Sequence, residues 1–550
     1  MVSPVGNTSD MKASEQQSIT SVWMFSREYG RLAGAGGVKD VVSQLATSLA
    51  RWNNRKVSVV LPCYGFMEPE LLGFTRLRDP LYPDRFLEFD VAMDYADLER
   101  RERVGVWHGV QDRVHIYLLE AQRFLEKQGV YTYTREESQR EPWKVMGQGH
   151  LDYFAMNVLL QKSGLDLLML LEEKPQIIHC HDGHTAIVPA LIRECSGYRN
   201  YFRDSAPLVT IHNAGVGYHQ EVSDLPFVQA ITGLPRRVIQ NSLLEHSFDP
   251  FLAAAPYAAI STVSENYAHE LQQTDADYLT GWLGHRLLDS GVVIVGITNG
   301  IDDEAFNPAD PQKMDLAAGF TVGGTAEELS GKELCKEALL AELSLPPGDD
   351  EERIGFLSED SARPLFSFIG RLSEQKGVDI LIEAVQLFLD DEVEASVVCL
   401  GSGSEKLEQS LASVARDPRY QGQLCFLRAY NPQLANQIYA AGDFFVIPSR
   451  YEPCGLTDYI AQLFGNLPIV HHIGGLVKVV DGVTGFAYRE NSPENLCEAL
   501  HRALAAFSDR PRIREMQAAA LEKIQDQHTW KRVMQDYVQL YKTCRADKKL

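Results

Sequence analysis

Short apolar runs rich in β-branched and aromatic residues alternate with longer stretches of helical period along almost the whole chain. Parallel strands require this, because the chain must cross back between them and a helix makes the usual crossover. Residues 19–25, 57–62, 177–180, 207–211, 258–263 and 292–297 read as strands of a first sheet. Residues 365–369, 395–400, 423–427, 444–448 and 468–470 read as strands of a second, with helices dominating from Pro493 onward. The predicted class is α/β, with two Rossmann-like doubly wound parallel sheets. At 550 residues the chain exceeds what one core supports.

The expected boundaries follow from breaks in the alternation. Residues 1–18 are polar and read as a disordered start. A first domain covers 19–306, with β-rich excursions over 74–125 and a mobile loop over 129–147. Residues 307–363, rich in Gly, Pro and acids including Asp349, Asp350, Glu351 and Glu352, read as a linker with a solvated insertion and one helical stretch, Lys332 to Leu343. A second domain covers 364–525, and 526–550 read as a closing helix.

The 52 basic and 75 acidic side chains leave a net charge of −23. A field of that sign disfavours nucleic acid and anionic membranes as partners, and no apolar run is long enough to span a bilayer. Nine cysteines are scattered without a CxxC pair. That argues for buried thiols in a reducing, cytoplasmic setting and against a structural zinc site. No metal ligand set is expected.

The chemistry-bearing residues cluster in loops that follow strands, where open α/β sheets bind ligands. Glu452 lies in a Pro- and Gly-bounded loop after the 444–448 run, and Gly474-Gly475 follows the next run. A carboxylate and a glycine turn on neighbouring strand ends suit a ligand that carries both hydroxyls and phosphates, since glycine lets backbone N–H groups approach an anion. Glu452 equally reads as a cap on the following helix. Arg371 and Lys376, in a loop after another strand, can converge on one phosphate; a merely solvated loop is the alternative.

Taken in order, these motifs resemble the bacterial glycogen synthase and plant starch synthase family, retaining glycosyltransferases of the GT-B fold. They are SREYGRLAGAGGVKDV at 26–41, HCHDGHTA at 179–186, TIHN at 210–213, TVSENYAHEL at 262–271, NGIDDEAFNP at 299–308, GRLSEQK at 370–376, EPCGLT at 452–457 and GGL at 474–476. The resemblance covers about residues 19 to 490. Related sugar transferases usually carry Phe where this chain has Cys454, and a second glutamate where it has Ile460, so both positions favour the synthase side.

The resemblance implies two domains facing each other across a cleft, with the last helix crossing back to the first domain. It implies glucose transfer from a nucleotide-diphosphate-glucose, ADP-glucose favoured over UDP-glucose, to the non-reducing 4-hydroxyl of an α-1,4-glucan, with retention and without cofactor or metal. Catalytic roles fall on Glu452 near the transferred glucose, Arg371 and Lys376 at the diphosphate, and His181 at the sugar. Donor contacts fall on Gly36, Gly37, Asn299, Tyr430 (stacking on the base, or simply packed), Cys454, Gly455, Leu456, Thr457, Gly474, Gly475 and Leu476. Acceptor-side positions are Asp152, His184, His212 and Asn213; Asp152 also reads as a solvent-facing helix carboxylate, and His184 and His179 as core histidines.

Departures from the family pattern are informative. Its usual Lys-Thr-Gly-Gly-Leu stands here as Gly34-Ala35-Gly36-Gly37-Val38, which removes a cation; Lys39 is near in sequence but projects from another position, and Arg31 is the expected substitute. Gly217-Tyr218-His219-Gln220 replaces a usual Tyr-Gln-Gly, and Gly183 replaces a Trp, which is expected to open space beside His181. Ile473 replaces a Thr and Lys478 an Asp, so Lys478 is expected to bring the missing cation to the donor loop. Two other readings stand beside the synthase: a related transferase using a small sugar or sugar-phosphate acceptor, and a glucan-binding pseudoenzyme.

Overall fold

The computed structural model describes residues 18–52, 55–345 and 352–546. The polar start over 1–17 and the acids Asp349, Asp350 and Glu351 lie outside the described residues. Two units emerge: the first runs to Ile297 and regains the chain from Val533, and the second is Thr298–Arg532.

In the first unit the strand order is Val295–Gly296, Ala259–Thr262, Ala206–Ile211, Ile177–His181, Ser21–Phe25, Lys56–Pro62, Val114–Glu120, Arg101–Gln111 and Thr75–Arg76. The first seven pair in parallel. Arg101–Gln111, Thr75–Arg76 and Glu88–Ala92 add an antiparallel flank. Strand Ser21–Phe25 lies between Lys56–Pro62 and Ile177–His181, and there the order reverses direction. Loops leaving two such strands part to opposite faces and open a crevice at their carboxyl ends.

The second unit repeats the logic. Its order is Arg353–Leu357, Gln423–Leu427, Ser396–Leu400, Leu365–Ile369, Phe444–Ile447, Leu467–His471 and Phe486–Tyr488, parallel except at the first edge. Reversal falls between Leu365–Ile369 and Phe444–Ile447. These strands are buried almost throughout, as apolar runs covered on both faces should be.

Residues 307–363 do more than connect. Helix Ala326–Leu343 starts with a capping box at Thr325 and Glu328. Strand Arg353–Leu357 pairs antiparallel with Gln423–Leu427. Buried Lys332 donates from Nζ to the carbonyls of Ala440, Gly442 and Phe464 at 2.7–3.0 Å, fastening the helix to the second unit. The expected helical stretch, Lys332 to Leu343, is the C-terminal part of this helix. The 129–147 stretch, expected as a mobile loop, holds a capped helix, Arg135–Arg140.

Among the described residues no helix is long and apolar enough to cross a membrane.

Candidate functional site

The strand reversal in the second unit explains which loops meet. The loop after Leu365–Ile369 carries Arg371 and Lys376, and the loop after Phe444–Ile447 carries Ser449 and Glu452. Lys376 Nζ lies 2.6 Å from Glu452 Oε2, and Ser449 Oγ donates to the same oxygen at 2.9 Å. The two loops are laced elsewhere. Arg450 N–H donates to the Gln375 carbonyl at 2.9 Å, and the Arg450 guanidinium grips Asp379 through two bonds. Gly377 adopts φ +66°, and a Cβ there would collide with the Pro448 carbonyl, so only glycine allows this approach. Arg371 is exposed on the same loop.

Gly474 and Gly475 are approached closely by the protein's own backbone. A Cβ on Gly474 would strike the Glu452 carbonyl and one on Gly475 the Cys454 backbone. The Gly475 amide donates to the Glu452 carbonyl at 2.9 Å, and the Leu476 amide to Ile473 at 2.9 Å. The first bond packs the glycine turn on the Glu452 loop, and the second closes the turn itself.

Lys478 also departs from expectation. Its side chain is 7% exposed and its ammonium donates to the carbonyls of Cys454, Gly455 and Gly475 while pairing with buried Asp458 at 3.1 Å. A cation so saturated is turned beneath the loop, and the charge expected to reach the donor from this position is engaged internally.

Cys454 and Gly455 are buried, Leu456 and Thr457 half-buried, and Thr457 opens helix Thr457–Leu463. Burial pushes the Cys454 thiol up to about 11. Asn299, in the same unit, is buried, and its Oδ1 has no hydrogen-bond partner. Tyr430 is 83% exposed, so the packed alternative fails and its ring is open.

In the first unit, strand Ile177–His181 delivers a histidine stack. His179 and His181 rings lie 4.1 Å apart, and His181 Nδ1 sits 3.0 Å from His212 Nε2. His181 is buried and its Nε2 has no protein partner. His179 is satisfied on both sides, by Tyr541 Oη at 2.9 Å and Thr210 Oγ1 at 2.7 Å. It is the core histidine of its alternative reading. Burial drives His179 and His212 down to about 3 and His181 well below the usual imidazole range, so all three are neutral.

Asp182, which sequence reasoning left out, ties the two motif loops together. Its Oδ1 accepts from the amides of His212 at 2.7 Å and Asn213 at 3.4 Å, from a left-handed backbone at φ +59°. Burial pushes its carboxyl up to about 7. Its place in the His-Asp motif was the available signal.

His184 is buried and packs its ring at 5.0 Å on Tyr131, whose hydroxyl donates to Glu28. Glu28 Oε2 also accepts from Ala35 N at 2.9 Å and Gly36 N at 3.4 Å, so this carboxylate shapes the glycine loop; Gly36 and Gly37 are exposed. The Lys39 stem passes over Gly34, where a Cβ would overlap it. Asp152 is clasped by Arg123 at 2.7 Å and Lys127 at 2.9 Å. Burial opposes its charge, yet these cations hold its carboxyl below the usual range, so it is not the solvent-facing carboxylate of the alternative reading. Gly183 opens no space, because the His219 carbonyl occupies the position of its Cβ.

Among the described residues one group of side chains, Asp391, Cys497 and His501, brings possible metal-ligating atoms within 4.8 Å of one another. None of the three belongs to the candidate site.

Residues 21–285 match the starch synthase catalytic domain, and residues 363–506 match glycosyl transferases group 1. These matches, falling one in each unit, make the chain a glycosyltransferase. A glycogen synthase of Anaeromyxobacter sp. (strain Fw109-5) is 32% identical over 93% of this chain and 96% of the relative. That of Vibrio cholerae is 29% identical over 96% and 99%. Among solved structures, the catalytic domain of starch synthase IV from Arabidopsis thaliana, bound to ADP and acarbose, superposes with a TM-score of 0.75. It is 26% identical and covers 96% of this chain and 100% of its own. Sucrose-phosphate synthase from Thermosynechococcus elongatus, 16% identical with a TM-score of 0.54 and covering 96% of this chain and 100% of its own, shares the fold. The chain belongs to the glycogen and starch synthase family, within the GT-B glycosyltransferases.

Proposed function

We propose that this glucosyltransferase takes ADP-glucose as donor and extends an α-1,4-glucan at its non-reducing 4-hydroxyl, with retention. The observation that carries the site assignment is the meeting of Lys376 and Glu452 at the strand reversal of the second unit. Lys376 is a cation suited to a diphosphate, and Glu452 beside it is a carboxylate suited to sugar hydroxyls. The starch synthase IV relative with ADP and acarbose supports the same ligand classes.

In this reading the C1–O bond to the diphosphate breaks, a C1–O4 bond to the glucan forms, and the departing phosphate oxygen takes the 4-hydroxyl proton. Arg371 and Lys376 stabilise charge gathering on the diphosphate without a metal, a contribution of several kcal/mol. Glu452 favours the electron-poor sugar carbon. His181, neutral and with Nε2 unpartnered, hydrogen bonds a glucose hydroxyl. Tyr430 supplies a face for the base. Asn299 reaches the donor side, and His184, His212 and Asn213 shape the sugar wall. The nine free cysteines fit a reducing cytoplasm.

The test is transfer from ADP-glucose and UDP-glucose to glycogen, maltodextrin and small sugars, with Glu452→Ala and Lys376→Ala alongside. Chain extension from ADP-glucose, lost in both folded variants, is the expected result. Transfer only to a small acceptor, or glucan binding without transfer from either donor, overturns the proposal.

A further inference from the structure

The ammonium of Lys478 is surrounded on every side the structure describes. The carbonyls of Cys454, Gly455 and Gly475 accept from it, the last two at 3.0 Å, and Asp458 Oδ1 lies 3.1 Å away. The Tyr459 ring lies 4.4 Å below. The backbone of Lys478 is held too, its carbonyl accepting from Lys523 Nζ at 2.6 Å. Asp458 is fully buried, and among the described residues neither carboxylate oxygen has another partner. Lys332 shows the same arrangement elsewhere, an ammonium gathering three carbonyls, but among the described residues no carboxylate is bonded to it.

The three carbonyls belong to two loops. Cys454 and Gly455 follow Glu452 directly, and Gly475 belongs to the glycine turn whose amide bonds the Glu452 carbonyl. One cation thus draws both loops to a common point. In a trans peptide the N–H points opposite to the C=O of the same plane. With the Cys454 and Gly455 oxygens held inward on Lys478, the amides of Gly455 and Leu456 face the other way. Neither donates to a protein acceptor among the described residues.

We infer that Lys478 is a positioning residue of the donor site, acting from beneath it. It fixes the loop that carries Glu452 and aims the Gly455 and Leu456 amides at the anionic diphosphate of the donor. This rests on the reading of Glu452 and Lys376 as the donor site. An unpaired lysine reaching up to the phosphates would act by charge at the ligand. Lys478 acts by peptide orientation, and its charge is balanced by Asp458.

The experiment separates orientation from stability. Lys478→Met removes the charge and keeps most of the volume, but strands Asp458; the double variant Asp458→Asn/Lys478→Met removes both charges. Thermal melting, calorimetric binding of ADP, and KM for donor and glucan separately are the measurements. Lys478→Met is expected to melt lower, with ADP affinity weakened and donor KM raised by roughly tenfold, and glucan KM within about twofold. The double variant should regain the melting temperature while ADP binding stays weak. Recovery of both in the double variant, or unchanged ADP affinity in either variant, overturns the inference. A fall in glucan affinity equal to that for ADP does so too. Lys376→Ala is the control for the site itself. If it binds ADP as tightly as the wild type, the donor-site reading fails whatever Lys478 does.

Discussion

Lys376 and Glu452 neutralise each other across 2.6 Å, with side chains 27% and 11% exposed. In the proposed site each has another task, the lysine toward a diphosphate and the carboxylate toward a sugar. Glu452→Gln keeps the shape and releases the lysine. A partly exposed pair of this kind is worth about 1 kcal/mol, so ADP should bind roughly fivefold tighter. Turnover should fall by about two orders of magnitude or more. Calorimetry with ADP beside initial-rate measurements checks both, and weakened ADP binding would contradict the pairing argument.

Tyr541 is buried against His179, its hydroxyl 2.9 Å from Nδ1. Tyr541→Phe leaves that nitrogen without a partner in a dry site, a change expected to lower stability by ~1–3 kcal/mol. Since His179 stacks 4.1 Å from His181, kcat should fall severalfold with donor KM little changed. Urea unfolding and steady-state kinetics on the variant supply the test.

The buried histidines and Asp182 respond to pH with opposite signs. His179, His181 and His212 have lowered values in the fold. Their contribution is therefore complete above the unfolded value of ~6.5 and lost as pH falls below it, at up to ~1.4 kcal/mol per pH unit each. Asp182 is raised to about 7. Its contribution is complete below the unfolded value of ~3.9 and lost as pH rises through about 7. Asp182→Asn removes only the second effect. As pH falls from about 7 to about 5 the variant should lose stability more steeply than the wild type, and above about pH 7 the difference between the two should level off. Urea melts across that range decide it.

Gly183 stands where the family usually has Trp, yet restoring the family residue should fail. The His219 carbonyl fills the place of any Cβ, and His219 is itself fixed by Asp249 at 2.8 Å and the Ala214 carbonyl at 2.6 Å. Gly183→Trp should destabilise by more than ~3 kcal/mol, read as loss of soluble protein or a sharply lower melting temperature. Gly183→Ala should show the same sign.

The two sheets were legible because their strands are apolar runs buried on both faces, and periodicity reports burial directly. Which loops would meet was not legible from any one run. Lys376 and Glu452 are 76 positions apart, and they touch because the strand order reverses between Leu365–Ile369 and Phe444–Ile447. Charged side chains were read with the least success. Lys478 and Lys332 are sequestered by carbonyls contributed from elsewhere in the fold, and a lysine's letter does not tell whether its ammonium faces solvent or a ring of oxygens. Gly474 and Gly475 were identified as necessary glycines for an incomplete reason: the backbone approaching them is the protein's own.

The tyrosine against His179 comes from helix Trp530–Ala546, whose residues from Val533 onward belong to the first unit. On the ribosome this inverts the usual order of assembly. The second unit is continuous in sequence and can close as soon as it emerges, whereas the first, although synthesised earlier, waits with an open seam beside its histidines until the last helix arrives. A premature stop between Val533 and Tyr541 would leave that unit whole and strip His179 of its tyrosine in the one made first.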